Sequence, residues 1–434
     1  MFRKRIQLGL IHVAVAMTLV PINSTLNRVM IKELAISAAL VALLASLPYH
    51  FSPIQVAIGS FSDRHPVWGF RRSPYILAGL LLCVLGVVVS PMAAFQLSEN
   101  FWFGISLALF AFGAWGMGFN FASVSYLSLA SELSGEKGRG RTIAIMFFVM
   151  ITGIILTAIA LSQLVDPYTP QALVNAFWII GLSALLIGLV GLIKLESRSL
   201  DFSIDSTFRH SWRKLMQLVL GNRQVTIFFW YLVILLAAIL GQDILLEPYG
   251  AEAFGLTVKE TTRITSLWGV CVLAALVVAG LIEGRTTKKT IARIGAWGAF
   301  TGFVLIPLGG ILINQIVFYS GVILLGIGTG LATVSNLSLM LDMTISGKVG
   351  LFIGIWGMAN ALSRLIGTIL GGVVRDSVTL IAGNLLAGYI VVFAIEALLI
   401  LVSLIMLRNI KVGVFKQENE QISLVEKAAL AGDG

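Results

Sequence analysis

Apolar stretches of about 20 residues follow one another along nearly the whole chain, and each is long enough to cross a bilayer as a helix. No other feature restricts the fold so strongly. In hydrocarbon the backbone must satisfy its own hydrogen bonds, so such a series reads as a polytopic, all-α membrane protein. Charge is scarce to match: 12% of the 434 residues are charged, against about 25% in a soluble domain. Twelve spans are expected, near 7–27, 36–60, 74–96, 102–130, 142–164, 173–194, 224–247, 262–282, 289–313, 316–340, 351–374 and 380–407. The first run follows a basic flank, MFRKRIQLGL, and extends to about Leu26, so it reads as a span and not as a removed signal peptide.

One long polar stretch interrupts the series, at 196–223 (ESRSLDFSIDSTFRHSWRKLMQLVLGNR). It divides the chain into an N-terminal six-helix bundle, 1–195, and a C-terminal one, 224–407, with a tail at 408–434. The net charge of +9 follows the topology and does not indicate nucleic acid. Arg3, Lys4, Arg5, Arg64, Arg71, Arg72, Lys137, Arg139 and Arg141 fall on one side of the membrane if every run crosses. So do the basic residues of the linker and the tail, while the opposite loops hold few. The excess of Lys and Arg places both termini in the cytoplasm. Cys83 and Cys271 lie inside apolar runs, so neither a disulfide framework nor a metal cluster is expected. The chain has no G-x-x-x-x-G-K-[ST] phosphate loop and no G-x-S-x-G turn, which argues against an ATP-driven pump and a hydrolase.

The two halves echo each other. SVSYLSLASEL at 123–133 recurs 210 positions later as TVSNLSLMLDM at 333–343, with Glu132 matched by Asp342. Gly116 and Gly118 match Gly326 and Gly328. These are the fourth and tenth spans, equivalent places in a duplicated chain. The loop after the second span, GSFSDRHPVWGFRR, has a counterpart after the eighth, GLIEGRTTKKTIAR. The first of these resembles the loop motif of the major facilitator superfamily, with Gly59, Asp63, Arg64, Arg71 and Arg72 filling its positions. An acid near a helix end can pair with the arginines and hold one conformation, or the loop is simply a basic cytoplasmic one.

Ionisable groups inside spans are costly and invite a functional reading. In GQDILLEPYG, at 241–250, Asp243 and Glu247 stand four residues apart and are expected on one helical face, beside Gln242. Pro248 and Gly250 are expected to end that span. Either the acids face inward to bind a ligand, a partner or a proton, or they form a network that pins the helix end. Arg364 sits mid-span with Asn360 one turn before it, and Glu396 is a candidate partner or a separate acid. His50 lies between Pro48 and Pro53, where a bend is expected. His50 and His12 can carry a proton, hold a metal or simply be hydrogen-bonded. Asn23, Asn27, Arg28 and Asn120 either line a cavity or bond across helices.

TLNRVMIKEL (25–34), IGSFSDRHPVWGFRRSPYI (58–76), GQDILLEPYG and GLFIGIWGMANALSRLIGTILGG (350–372) resemble the bacteriochlorophyll-delivery (PucC/LhaA-like) branch of the major facilitator superfamily. The resemblance covers both halves, and GQDILLEPYG is its most specific element. It implies a non-enzymatic role in assembling light-harvesting or photosystem complexes, with chlorophyll or bacteriochlorophyll bound or delivered. It also implies a photosynthetic membrane, thylakoid or intracytoplasmic, or a bacterial inner membrane. The implied partners are the lipid bilayer, antenna or photosystem subunits and pigment-synthesis enzymes. Magnesium in such a pigment takes oxygen or imidazole ligands, and His50, Asn120, Asn360 and Glu247 qualify by type. The alternative is a proton-coupled carrier of a small solute or pigment precursor, using Asp243, Glu247, Arg364 and Glu396.

Overall fold

The computed structural model describes residues 2–52, 54, 58, 61–62, 65–198, 221–282, 285–342, 349–411 and 413. Gly59, Asp63 and Arg64 of the loop motif, most of the linker and nearly all of the tail lie outside them. The described chain is mainly helical, with an isolated bridge between Val67 and Phe70.

The first half holds α1 (Phe2–Met17), α2 (Ala38–Ala45), α3 (Leu47–His50), α4 (Ser73–Glu99), α5 (Phe101–Ser134), α6 (Ile145–Leu164) and α7 (Pro170–Leu192). The second half holds α8 (Arg223–Gly241), α9 (Leu246–Phe254), α10 (Val258–Ile282), α11 (Lys288–Ile311), α12 (Gln315–Asp342), α13 (Val349–Ala382) and α14 (Leu385–Asn409). Eleven helices among the described residues are long and apolar enough to cross a membrane. The expected second span, 36–60, is the exception. Its described part is two short helices, because Pro48 in the first turn of α3 cannot donate a backbone hydrogen bond.

Helical backbone continues from α5 to α6, yet the chain reverses between them. The His12 ring meets both Tyr126 and Phe147, at 4.9 and 5.2 Å between centroids. In a straight helix those two residues would stand about 30 Å apart. The first span is also longer than expected. Beyond α1 it continues through π-helical turns at Pro21–Leu26 and Val29–Glu33.

The repeat seen in the sequence is a repeat of contacts. A Cβ at Gly79 in α4 would lie 2.5 Å from the Ala122 nitrogen, so α4 and α5 cross with backbones touching. In the second half Gly295 of α11 meets Ala332 of α12 in the same way, at 2.8 Å. The pair Arg72–Glu132 likewise has its counterpart in Lys288–Asp342. Outward-facing side chains such as Leu85, Leu186, Ile294 and Ile405 are exposed and apolar, as a surface against lipid requires.

Between the halves, Gly372 of α13 packs on Ala38 and Ala42 of α2, and Gly269 of α10 packs on Ile155 of α6. Polar contacts also join the halves, and they bear on the site.

Candidate functional site

The run beginning at Arg223 does not continue as one helix to Glu247. α8 ends at Gly241, a single 3-10 turn occupies Gln242–Ile244, and α9 starts at Leu246. Asp243 and Glu247 therefore do not share a helical face, which corrects the expectation from their spacing. Pro248 does not end the span either. It lies in the first turn of α9, where a missing N–H leaves no bond unmade. Gly250 is helical, and Gly255 closes α9 at a φ of +64°.

The break gives each acid its own partner. Asp243 accepts from Arg364 Nη1 at 3.2 Å. The same nitrogen donates to the Tyr49 hydroxyl at 3.4 Å, and the guanidinium carbon stands 5.6 Å from the Tyr49 ring centroid. Gln242 Nε2 donates to Asp243 Oδ1 at 3.0 Å, while Gln242 Oε1 is buried without a hydrogen bond. Gly367 of α13 lies against Ala237 and Gly241, and this close crossing of α13 on α8 brings Arg364 beside Asp243. The pair joins both halves, since Tyr49 belongs to α3. It is not fully enclosed: the Arg364 side chain is 33% exposed and that of Asp243 24%.

Glu247 is 2% exposed and accepts hydrogen bonds from Ser24 of the first π-helical turn and, at 2.5 Å, from Thr265 of α10. Its second oxygen, Oε2, has no hydrogen bond. Further contacts between the halves gather at the same end. Thr25 bonds Thr262 at 2.9 Å, Arg28 donates to the Leu256 carbonyl at 3.1 Å, and Lys32 pairs with Glu252 at 2.5 Å. Lys259 pairs with Asp166 at 2.6 Å, and Asp376 accepts from Ser37 at 2.6 Å. Among the described residues, hydrogen bonds at the opposite, Arg72 end join residues of the same half: Arg72 with Glu132, Lys288 with Asp342, Lys289 with the Ile410 carbonyl.

The other candidates separate into bonded and open groups. Asn120 is fully buried and donates to the Pro48 carbonyl at 2.8 Å and to Gly116 at 2.7 Å. Ser52, four residues beyond Pro48, donates to Tyr49 instead. Asn120 thus supplies the donor that the break in the second span removes. His50 is exposed, with Nδ1 3.1 Å from the Ser46 carbonyl. His12 is packed among rings in the core. Glu396 is 2% exposed beside Gly241, with Oε2 unbonded. Among the described residues it makes no ion pair with Arg364. Asn27 is fully buried and donates to the Asn23 carbonyl.

Asn360 is half-buried, and its Nδ2 donates to the Trp356 carbonyl of its own helix at 3.0 Å. That leaves Oδ1 without a hydrogen bond among the described residues. Gly357, Asn360 and Arg364 follow helical spacing down one face of α13. Among the described residues nothing lies within 4 Å of where a Gly357 Cβ would stand, so the face is open at that position.

Of the loop motif, Arg71 and Arg72 are described. Arg72 reaches Glu132 through Nε at 3.1 Å and Nη2 at 2.9 Å. The carboxylate of Glu196 accepts from the backbone N–H groups of Arg71, Arg72 and Ser73, so it caps the N-terminus of α4. Tyr49, Ser24, Thr265 and Glu196 were not singled out from the sequence. Hydroxyls inside apolar spans were the available signal for the first three.

The chain matches the PUCC protein family over residues 25–415. It belongs to that family. Protein PucC of Rhodobacter capsulatus is 30% identical over 421 residues, covering 92% of this chain and 90% of the relative. The bacteriochlorophyll synthase 44.5 kDa chain of Rhodobacter capsulatus is 26% identical over 424 residues, covering 92% and 93%. Among solved structures, a variant of the nucleoside transporter NupG superposes with a TM-score of 0.70 at 14% identity, over 94% of this chain and 99% of that one. A D-xylose-proton symporter gives 0.70 at 15% identity, over 93% and 97%. Identities this low speak to fold, and this PUCC protein family member has the fold of the major facilitator superfamily transporters.

Proposed function

We propose that this protein assists assembly of chlorophyll-protein complexes, light-harvesting or photosystem, by holding or delivering a chlorophyll or bacteriochlorophyll between its two halves. Family membership and the name of the bacteriochlorophyll synthase relative supply the pigment class. The observation that carries the reading is the face Gly357–Asn360–Arg364, mid-span beside a part-exposed ion pair that reaches Tyr49 of the other half.

The residues fit the pigment unevenly. Asn120 is fully buried and bonded, and Glu247 is enclosed by Ser24 and Thr265, so neither presents an oxygen to a macrocycle. Asn360 Oδ1 is unengaged on the open face and is the oxygen that would hold magnesium. When bound, the pigment would bring a magnesium ion that takes oxygen ligands, and the protein's part is to hold and orient the ring.

Around this site we place two six-helix bundles, 1–195 and 224–407, with the linker 196–223, the tail 408–434 and both termini in the cytoplasm. The membrane is a photosynthetic one or a bacterial inner membrane, and the partners are antenna or photosystem subunits and pigment-synthesis enzymes. No catalytic role is assigned. The test is purification in mild detergent with an absorption spectrum, together with a deletion strain. A co-purifying pigment and reduced chlorophyll-protein assembly are expected. A colourless protein and unchanged assembly would sink the reading.

A second reading, a proton-coupled carrier of a small solute or pigment precursor, is favoured by Glu247, a buried acid with one free oxygen bridging the two halves. Under it, Glu247→Gln abolishes gradient-driven uptake into vesicles, whereas pigment retention survives the same change.

A further inference from the structure

Arg364 spends one nitrogen on its partners. Nη1 serves both Asp243, at 3.2 Å, and Tyr49, at 3.4 Å. Among the described residues, Nε and Nη2 make no hydrogen bond. These two donors form one edge of the guanidinium fork, and that edge matches the two oxygens of a carboxylate. The single bond to Asp243 is long for a charge-assisted contact and is not bidentate. The edge therefore has both the geometry and the residual charge to take a second carboxylate.

Its surroundings limit what could carry that carboxylate. The side chain is 33% exposed although it sits mid-span, so a ligand can approach it. Gly357 and Asn360, on the same face, leave room for a broad body, and Tyr49 offers a ring beside the charge. Glu396, the other acid near α8, lies behind Gly241 and does not occupy the edge. The complementary molecule is a flat, largely apolar anion with one carboxylate.

We infer that the open edge of Arg364 binds the free carboxylate of an unesterified chlorin or bacteriochlorin, so the protein takes the acid form of the pigment in preference to the ester. The inference rests on the pigment-binding reading above and specifies its ligand. It assigns Arg364 the anionic substituent, Asn360 the ring centre and Asp243 a tuning role, since each bond from Arg364 to Asp243 lowers what remains for the ligand.

The probes are chlorophyllide a and bacteriochlorophyllide a, each beside its methyl ester, which keeps the ring and removes only the charge. Binding to the full-length protein in detergent is followed by the shift of pigment absorption. The acids are expected to bind at least about tenfold more tightly than their esters, the scale of one charge-assisted pair. Arg364→Gln is expected to abolish that preference by weakening the acids and leaving the esters unchanged. Asp243→Asn, which frees the guanidinium, is expected to strengthen the acids several-fold, and it decides the matter if the arginine variant fails to fold. Equal binding of acid and ester to the unaltered protein overturns the inference and leaves the pigment reading standing. So does a loss of acid binding in Asp243→Asn. Absence of binding by every probe overturns the pigment reading itself, and the inference with it.

Discussion

α4 and α5 cross as α11 and α12 do, while α1 and α8, the first helix of each half, have come to differ. In the crossing pairs the small residues recur at equivalent places: Gly79 and Gly118 against each other in one half, Gly295 and Gly328 in the other. A duplicated packing seam tolerates little change, because each glycine holds a backbone at contact distance. The leading helices differ in their backbone. The first span passes from α1 into a π-helical turn at Pro21–Leu26, where Ser24 and Thr25 lie. α8 breaks at Gln242, and the break separates Asp243 from Glu247. Irregular turns of this kind mark functional positions in helices. The molecule is therefore symmetric at these packing seams and at the Arg72–Glu132 and Lys288–Asp342 pairs, and asymmetric at the polar contacts of Ser24, Asp243 and Glu247.

The largest effect should come from breaking the symmetric part. Gly118→Leu and Gly328→Leu each insert a side chain where neighbouring backbone lies under 3 Å from the Cβ position. Each should cost about 3 kcal/mol, read as a lower unfolding midpoint in detergent. Tolerance of one and not the other would show that the two seams are not equivalent.

A smaller effect is expected in the asymmetric part. Glu247→Leu leaves the Ser24 and Thr265 hydroxyls without their acceptor and should cost about 2 kcal/mol. Glu247→Gln keeps an acceptor oxygen and should cost under about 1 kcal/mol. If both variants unfold at the same point, the carboxylate does not tie α1 to α9 and α10.

The smallest difference sharpens the comparison at the Arg72 end. Arg72 uses two nitrogens on Glu132 and also bonds Ser62, whereas Lys288 meets Asp342 at a part-exposed site. Arg72→Ala should cost about 1 kcal/mol and Lys288→Ala about half as much, since exposed pairs contribute little. The reverse order would argue against the two-nitrogen contact.

The repeat was legible in sequence because it is written in small residues and matched charges at a constant offset. Glu132 and Asp342 align in the two halves, and each holds a basic residue. The site was legible by type and not by arrangement. Arg364 is visible as a charge in an apolar span, but its acid could have been Glu396 as readily as Asp243. The choice depends on α13 crossing α8 at Gly367 and Gly241, a contact between residues 126 positions apart. Asn120 reads as a candidate ligand by residue type, yet it donates to the Pro48 carbonyl of the broken second span. His50 has the right chemistry and turns Nδ1 back to its own helix.

By itself the sequence determined the solvent this chain folds in, the rough limits of eleven of the twelve crossings expected, the duplication and the family. Hydropathy, charge asymmetry and spacing are local or periodic quantities that survive without coordinates. The tertiary structure alone decided that GQDILLEPYG breaks, that its two acids part company, and that one guanidinium edge stays open. Those outcomes depend on which helices touch and at what depth, and helical periodicity, which would place both acids on one face, carries no term for a neighbour's backbone.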